Sequence, residues 1–226
     1  VPAATMRRIA NEFLDHALWP TGRVLLALSV IPLALAIKAP LWHYAMEAPQ
    51  YPDGLYFDIY TYRLEGGNEG QHIDEINVLN HYIGMQPIHQ SDIPDLGIMP
   101  FAMGLLILIT LRVAAIGNVR DLVDHMMIVL YTLGFFGFRF VYMLYTYGHE
   151  LNPEAPVKIP PFTPVVIGTN QIANFTVHSL PRIGTYYLLA YGGIVVGVTL
   201  WHLIAARMQA ARKDREEERR VPSEQT

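Results

Sequence analysis

No cysteine occurs anywhere in the 226 residues. That absence excludes disulfides, thiolate metal sites, iron–sulfur clusters and the C-x-x-C-H attachment of c-type haem, so loops on an oxidising side of a membrane would owe their order to packing alone. Charge is scarce as well, at 16% of residues, and the net charge of -4 is too small and too unevenly spread to attract nucleic acid. There is no nucleophile motif, no H-E-x-x-H pair, no phosphate-binding glycine loop and no concentrated set of intramembrane acids. A non-catalytic protein is the expectation. Nor is there an evident inverted repeat or broken helix pair of the kind that secondary transporters use.

What is present is apolar. Hydrophobic residues make up 52% of the chain and mean hydropathy is +0.24. They concentrate in residues 22–39, 98–116, 125–147 and 186–206, each close to the ~20 residues that cross a hydrocarbon core. Arg7, Arg8 and Arg23 flank the first segment, Arg112 and Arg120 bracket the short second link, and Arg207, Arg212, Lys213, Arg215, Arg219 and Arg220 fill the tail. The positive-inside rule sets these three regions in the cytoplasm and the acidic loops, about 40–96 and 148–182, outside. The expected fold is an all-α integral membrane protein with four transmembrane helices, N-in/C-in, and two ordered external loops. Its expected place is a bacterial inner membrane, cytoplasmic or intracytoplasmic, with the long loops periplasmic.

The first segment has the flanks of a signal peptide, but no A-x-A-like site follows it, so it reads as an uncleaved helix. The aromatic residues Trp42 and Tyr44 suit a membrane interface. A chain that starts at Val1 points to an alternative start codon or a processed end. Residues 1–21 carry Ile9, Phe13, Leu14 and Ala17 among basic neighbours and predict a short amphipathic helix on the cytoplasmic surface. Residues 207–226 predict a charged extension of the last helix.

In the first external loop, Ala48-Pro-Gln-Tyr-Pro-Asp-Gly54 is turn chemistry, and residues 55–64 alternate in the manner of a strand ended by Glu65-Gly-Gly-Asn68. Ile73, Ile76, Leu79 and Ile83 recur at helical spacing and predict an amphipathic helix over 74–84, with Asp74, His81 and Met85 on its other face. Asn77, Asn80 and Tyr82 suit a polar network that pins the loop to the helices.

The run Asn77-Val-Leu-Asn-His-Tyr-Ile-Gly-Met-Gln-Pro-Ile88, with 48–55 before it and 147–162 after it, resembles a family of small four-helix membrane proteins with an NHYIGM-type external loop. The likeness covers most of residues 40 to 206. Members are often encoded near copper-delivery genes of nitrous oxide respiration, so the resemblance implies a setting, bioenergetic membranes and copper, and no particular reaction.

His and Met are the ligands that copper accepts when Cys is missing. The external candidates are His43, Met46, His72, His81, Met85, His89, Met99 and His149. Among them His81 and Met85, four apart on a helix, with His89 folding back past Pro87, form the candidate metal site; packing with a surface hydrogen bond is the competing reading. In the second loop Pro153, Pro156, Pro160, Pro161 and Pro164 hold the chain extended, either as a rigid cover or as a partner-docking strap in which Pro160, Pro161 and Phe162 make the contact. Residues 168–176 read as a short interfacial helix.

Away from the ends of the apolar segments the one full charge is Arg139, which needs water, a carboxylate or a phosphate. An outer-loop acid such as Glu150, backbone carbonyls, a lipid headgroup, a quinone carbonyl or a partner would each serve. His125 and His202 suit haem or chlorophyll ligation, or simple solvation. Two functions stay open. The first is an accessory or assembly subunit of a larger respiratory or photosynthetic membrane complex, in contact with lipid and with other subunits. The second is a periplasm-facing copper-binding protein serving a copper oxidoreductase.

Overall fold

The computed structural model describes residues 14–172 and 174–220. Most of the expected N-terminal amphipathic segment, with Ile9 and Phe13, lies outside these, as does the end of the tail. In chain order the elements are α1 (Pro20–Lys38), β1 (Trp42–Ala48), β2 (Tyr51–Ile59), β3 (Leu64–Gly66), α2 (Gln71–Ile83), α3 (Asp95–Ile116), α4 (Val119–His149), β4 (Gly168–Ile172), β5 (Phe175–Pro181) and α5 (Ile183–Arg220). Helices α1, α3 and α4, and α5 over Ile183–Ala205, are long and apolar enough to cross a membrane. This matches the four expected segments.

The all-α expectation needs correction, because the two long loops join in one antiparallel sheet of five strands, ordered β3-β2-β1-β5-β4. Strand β1, read from sequence as interfacial chain, is its centre, pairing Trp42 with Ile59 on one side and with Pro181 on the other. Residues 168–176 form β4 and the start of β5 in place of a helix, with Gly168 opposite Ser179 and Ile172 opposite Phe175. The strand expected over 55–64 breaks at Ile59, because Tyr60 bonds back to Arg63 (2.9 Å) and the buried Thr61 donates to the Ile37 carbonyl (2.9 Å). The reversal expected at Pro52-Asp-Gly54 comes earlier, with Ala48 already opposite Tyr51, and Gly54 instead supplies a left-handed residue (φ +73°) within β2.

The described chain divides into two compact units whose boundaries fall inside the four long helices. One holds the described parts of Val1–Val30, Ile107–Leu130 and Tyr191–Thr226; the other holds Ile31–Leu106 and Tyr131–Ala190. In the first, Arg23 is tied to the Ala115 carbonyl (2.7 Å), and Trp19 packs edge-on against Trp201 and beside His202. In the second, one face of the sheet presents Tyr44, Leu55, Phe57, Phe175 and Val177 to Ile76, Leu79 and Ile83 of α2 and Leu144 of α4. The period-2 alternation of β5, with Phe175, Val177 and Ser179 buried, and the helical period of α2 meet here. This apolar seam positions everything that follows.

Candidate functional site

Helix α2 ends at Ile83 because Gly84 adopts φ +82°, and the Met85 amide then bonds back to the Asn80 carbonyl (2.9 Å) in a Schellman-type reversal. Met85 thus leaves the helix and no longer shares a helical face with His81. It turns onto the apolar cluster, while His81 and His89 stay exposed. The expected grouping of His81, Met85 and His89 is therefore split between core and surface. His81 and Met85 still border one shallow surface depression with Gln86, Glu150 and Asn152, and His89 precedes the short turn of helix Gln90–Asp92. Among the described residues no group of three or more His, Asp or Glu could hold a metal ion. His43 is committed to Asp58 (Nδ1 to Oδ1, 2.7 Å), and His72 accepts the Tyr56 amide (3.2 Å).

Met85 instead helps to close a cavity of about 90 Å³ whose accessible wall is entirely apolar. Met46 of β1 and Met143 of α4 are in the same wall, with the rings of Tyr44, Phe57, Phe175 and Tyr147. Burial pushes the Tyr44 phenol up to about 12, so it stays neutral and donates to the Val165 carbonyl (3.2 Å). Asn80 is the polar exception. It sits four residues after Ile76 on the apolar face of α2, is 2% exposed, and its Nδ2 has no hydrogen-bond partner. The polar network read from sequence holds for Asn77, whose amide clamps Ile88 in both directions, accepting from its N–H (2.7 Å) and donating to its carbonyl (3.2 Å). Asn80 takes no part in that clamp.

The proline-rich strap lies on its own protein. Asn152 donates to the Gly84 carbonyl (2.7 Å), Val157 to that of Tyr82 (2.9 Å) and Phe162 to that of Gly148 (3.0 Å). Pro160 and Pro161 are exposed and Phe162 is half-buried.

Arg139 meets neither Glu150 nor a backbone carbonyl. Its Nε and Nη2 bind Oδ1 and Oδ2 of Asp95 at 3.2 and 2.9 Å, a two-pronged pair with the first residue of α3. Glu150 instead accepts from Gln86 (3.2 Å). The need for a compensating group was legible in the sequence, with a carboxylate as one of several candidates, but Asp95 was not named.

His125 of α4 and His202 of α5 are both buried. His202 donates through Nδ1 to the Val198 carbonyl (2.8 Å) and accepts the Trp19 amide on Nε2 (3.3 Å), which occupies both ring nitrogens. His125 Nε2 meets the hydroxyls of Thr110 (3.0 Å) and Tyr191 (3.3 Å). Neither is solvated, contrary to the simplest sequence reading.

One face of α4 was not singled out from sequence. Tyr131, Phe135, Phe138, Tyr142, Tyr145 and His149 follow one another in steps of four and three, and at about 100° per residue they fall in a stripe roughly 80° wide. The five aromatics are exposed, from Phe135 at 43% to Tyr131 at 74%, and they stack along the helix. Only 11% of the most apolar window of α4 is buried, against 28% for α1 and α3 and 33% for α5, so this helix is the least covered of the four. No family model matches the chain, and neither a curated protein nor a solved structure is similar to it.

Proposed function

We propose that this chain is a non-catalytic accessory or assembly subunit of a larger energy-converting membrane complex, joined to it through the aromatic face of α4. The observation that supports this reading is the heptad seam itself. Lipid contact alone requires no particular spacing, whereas alternating steps of four and three hold one stripe against a neighbouring helix. Gly134 borders the stripe with open space where a Cβ would stand, which lets a second backbone approach. Tyr131 lies near the middle of the 31-residue helix and is 74% exposed, so its hydroxyl faces away from its own chain. A hydroxyl held in hydrocarbon without an acceptor is costly, so a partner helix that offers one is favoured over acyl chains.

The reading is tested by Tyr131→Leu combined with Phe138→Ala. The purified variant should melt within about 2 °C of the wild type, since these side chains touch little of their own chain, while recovery of the parent complex should fall at least tenfold. Equal recovery of variant and wild type would remove the seam from the account.

The proposed orientation puts both termini in the cytoplasm and the sheet in the periplasm. Reporter fusions after Thr226 and within the loop at Gly67 should report opposite sides; the same side for both would exclude the arrangement.

A further inference from the structure

We infer that the end of the sheet farthest from the long helices is a docking surface for a soluble, positively charged protein that sets an apolar side chain beside Tyr82. The surface is a groove of about 420 Å³ between α2, the β1–β2 and β4–β5 turns and the proline-rich strap. Its floor belongs to the core, since Leu79, Ile83 and Phe175 are buried. Its walls do not. Val78 is 53% exposed, Tyr82 51% and Val157 45%, and apolar side chains left bare around one depression form the kind of centre that a protein interface covers. The Val157 amide bonds to the Tyr82 carbonyl (2.9 Å), which fixes the strap against the helix and holds the groove open in advance of binding.

Strand β1 begins four residues after α1 ends, and β5 ends two residues before α5 begins. Trp42 and Pro181, which pair with each other, therefore stand beside the long helices, while the turns at Gln50 and Asn174 lie at the opposite strand ends, about 20 Å away at ~3.3 Å per residue. That position favours an occupant that arrives from water over a lipid or a membrane helix. Charge narrows the choice further. Residues 40–96 hold nine carboxylates and one basic residue, Arg63. Asp74 and Glu75 stand four and three residues before Val78, on the same side of α2, and the exposed Asp53 and Glu154 closely precede or follow Tyr51 and Val157 of the groove. Arg63 is taken up by Glu65 (2.6 Å) and Arg182 by Asp58 (3.6 Å), while Lys158 adjoins the groove next to Val157. A second copy of this chain would set carboxylates against carboxylates, and anionic headgroups would meet the same repulsion. A basic ring around a projecting apolar residue matches both the rim and the centre. The surface is separate from the aromatic face of α4, so a soluble partner here and a membrane partner there are tested apart.

A photoreactive phenylalanine replaces Tyr82 in the full-length protein, and intact cells are irradiated before fractionation. The expected result is one discrete adduct with a water-soluble protein of basic isoelectric point, identified by mass spectrometry. That protein, once purified, should bind the full-length chain in nanodiscs, with an affinity that falls about tenfold or more between about 50 and about 300 mM salt, as screening of the acidic rim requires. Asp74→Lys combined with Glu75→Lys should weaken binding about a hundredfold. If that variant does not fold, Asp74→Asn combined with Glu75→Gln keeps the shape of both side chains and should weaken binding about tenfold. Adducts only with lipid, with this chain or with an integral membrane protein, the lack of any adduct, or binding that neither salt nor the carboxylate variants alter would each overturn the proposal.

Discussion

Replacing Asp95 by leucine is expected to lower the melting temperature of the purified protein by about 5–10 °C, more than any other single change of a charged residue. The variant leaves Arg139 without its carboxylate at a position where the pair is partly withdrawn from solvent, the side chains being 34% exposed for Arg139 and 17% for Asp95. It also removes a negative charge from the N-terminus of α3, where the helix dipole favours one. Arg139→Leu should be the milder of the two, because a carboxylate stranded alone can shed its charge by binding a proton, whereas a guanidinium cannot lose its own. The double variant should melt closer to the wild type than Asp95→Leu does, since two apolar groups leave nothing unpaired. Equal losses in single and double variants would show that Asp95 does not compensate Arg139.

The second large effect belongs to the strap. Gly148 is buried at the end of α4, and a Cβ there would overlap the Phe162 carbonyl oxygen and come within 2.8 Å of Pro164 Cδ. Gly148→Ala should therefore push residues 162–164 off the helix and break the Phe162–Gly148 hydrogen bond, at a cost of about 1–3 kcal/mol. Gly104 of α3 is the internal control, with nothing within 4 Å of its Cβ position. Gly104→Ala should be neutral or stabilising by up to about 1 kcal/mol, from helix propensity alone. Thermal melts of both variants against the wild type check the pair, and a neutral Gly148→Ala would mean that the strap is not seated as described.

The four long helices were legible because length and apolarity announce them without reference to any neighbour. So was α2, whose Ile76, Leu79 and Ile83 are buried as their spacing requires. The sheet was not. Its central contacts join Trp42 to Pro181 and Glu47 to Thr176, and a pairing across that much intervening chain leaves no trace in a local window. Trp42 and Tyr44 could thus pass for an aromatic belt, and residues 168–176 for an interfacial helix.

The site was legible in part. Asn80 and Met85 were singled out on composition and position, but Gly84 reverses the chain and sends Met85 into the core and away from His81. No sequence rule told that Asn77 would be satisfied and Asn80 left unpartnered. The α4 seam was readable in principle, since steps of four and three are visible in the sequence. In a segment that is apolar on every side they do not stand out until burial shows which face is bare.

The accessory-subunit reading is tested most directly by a photoreactive phenylalanine at position 138, in the middle of the seam, with the same group at position 108 of α3 as a lipid-facing control. Phe138 is 65% exposed and Leu108 66%, so the two differ in their setting and not in their accessibility. Irradiation in native membranes is expected to give a discrete adduct with a helix of a different protein from position 138 and only lipid adducts from position 108. Lipid adducts alone from both positions, or a dimer of this chain from position 138, would contradict it.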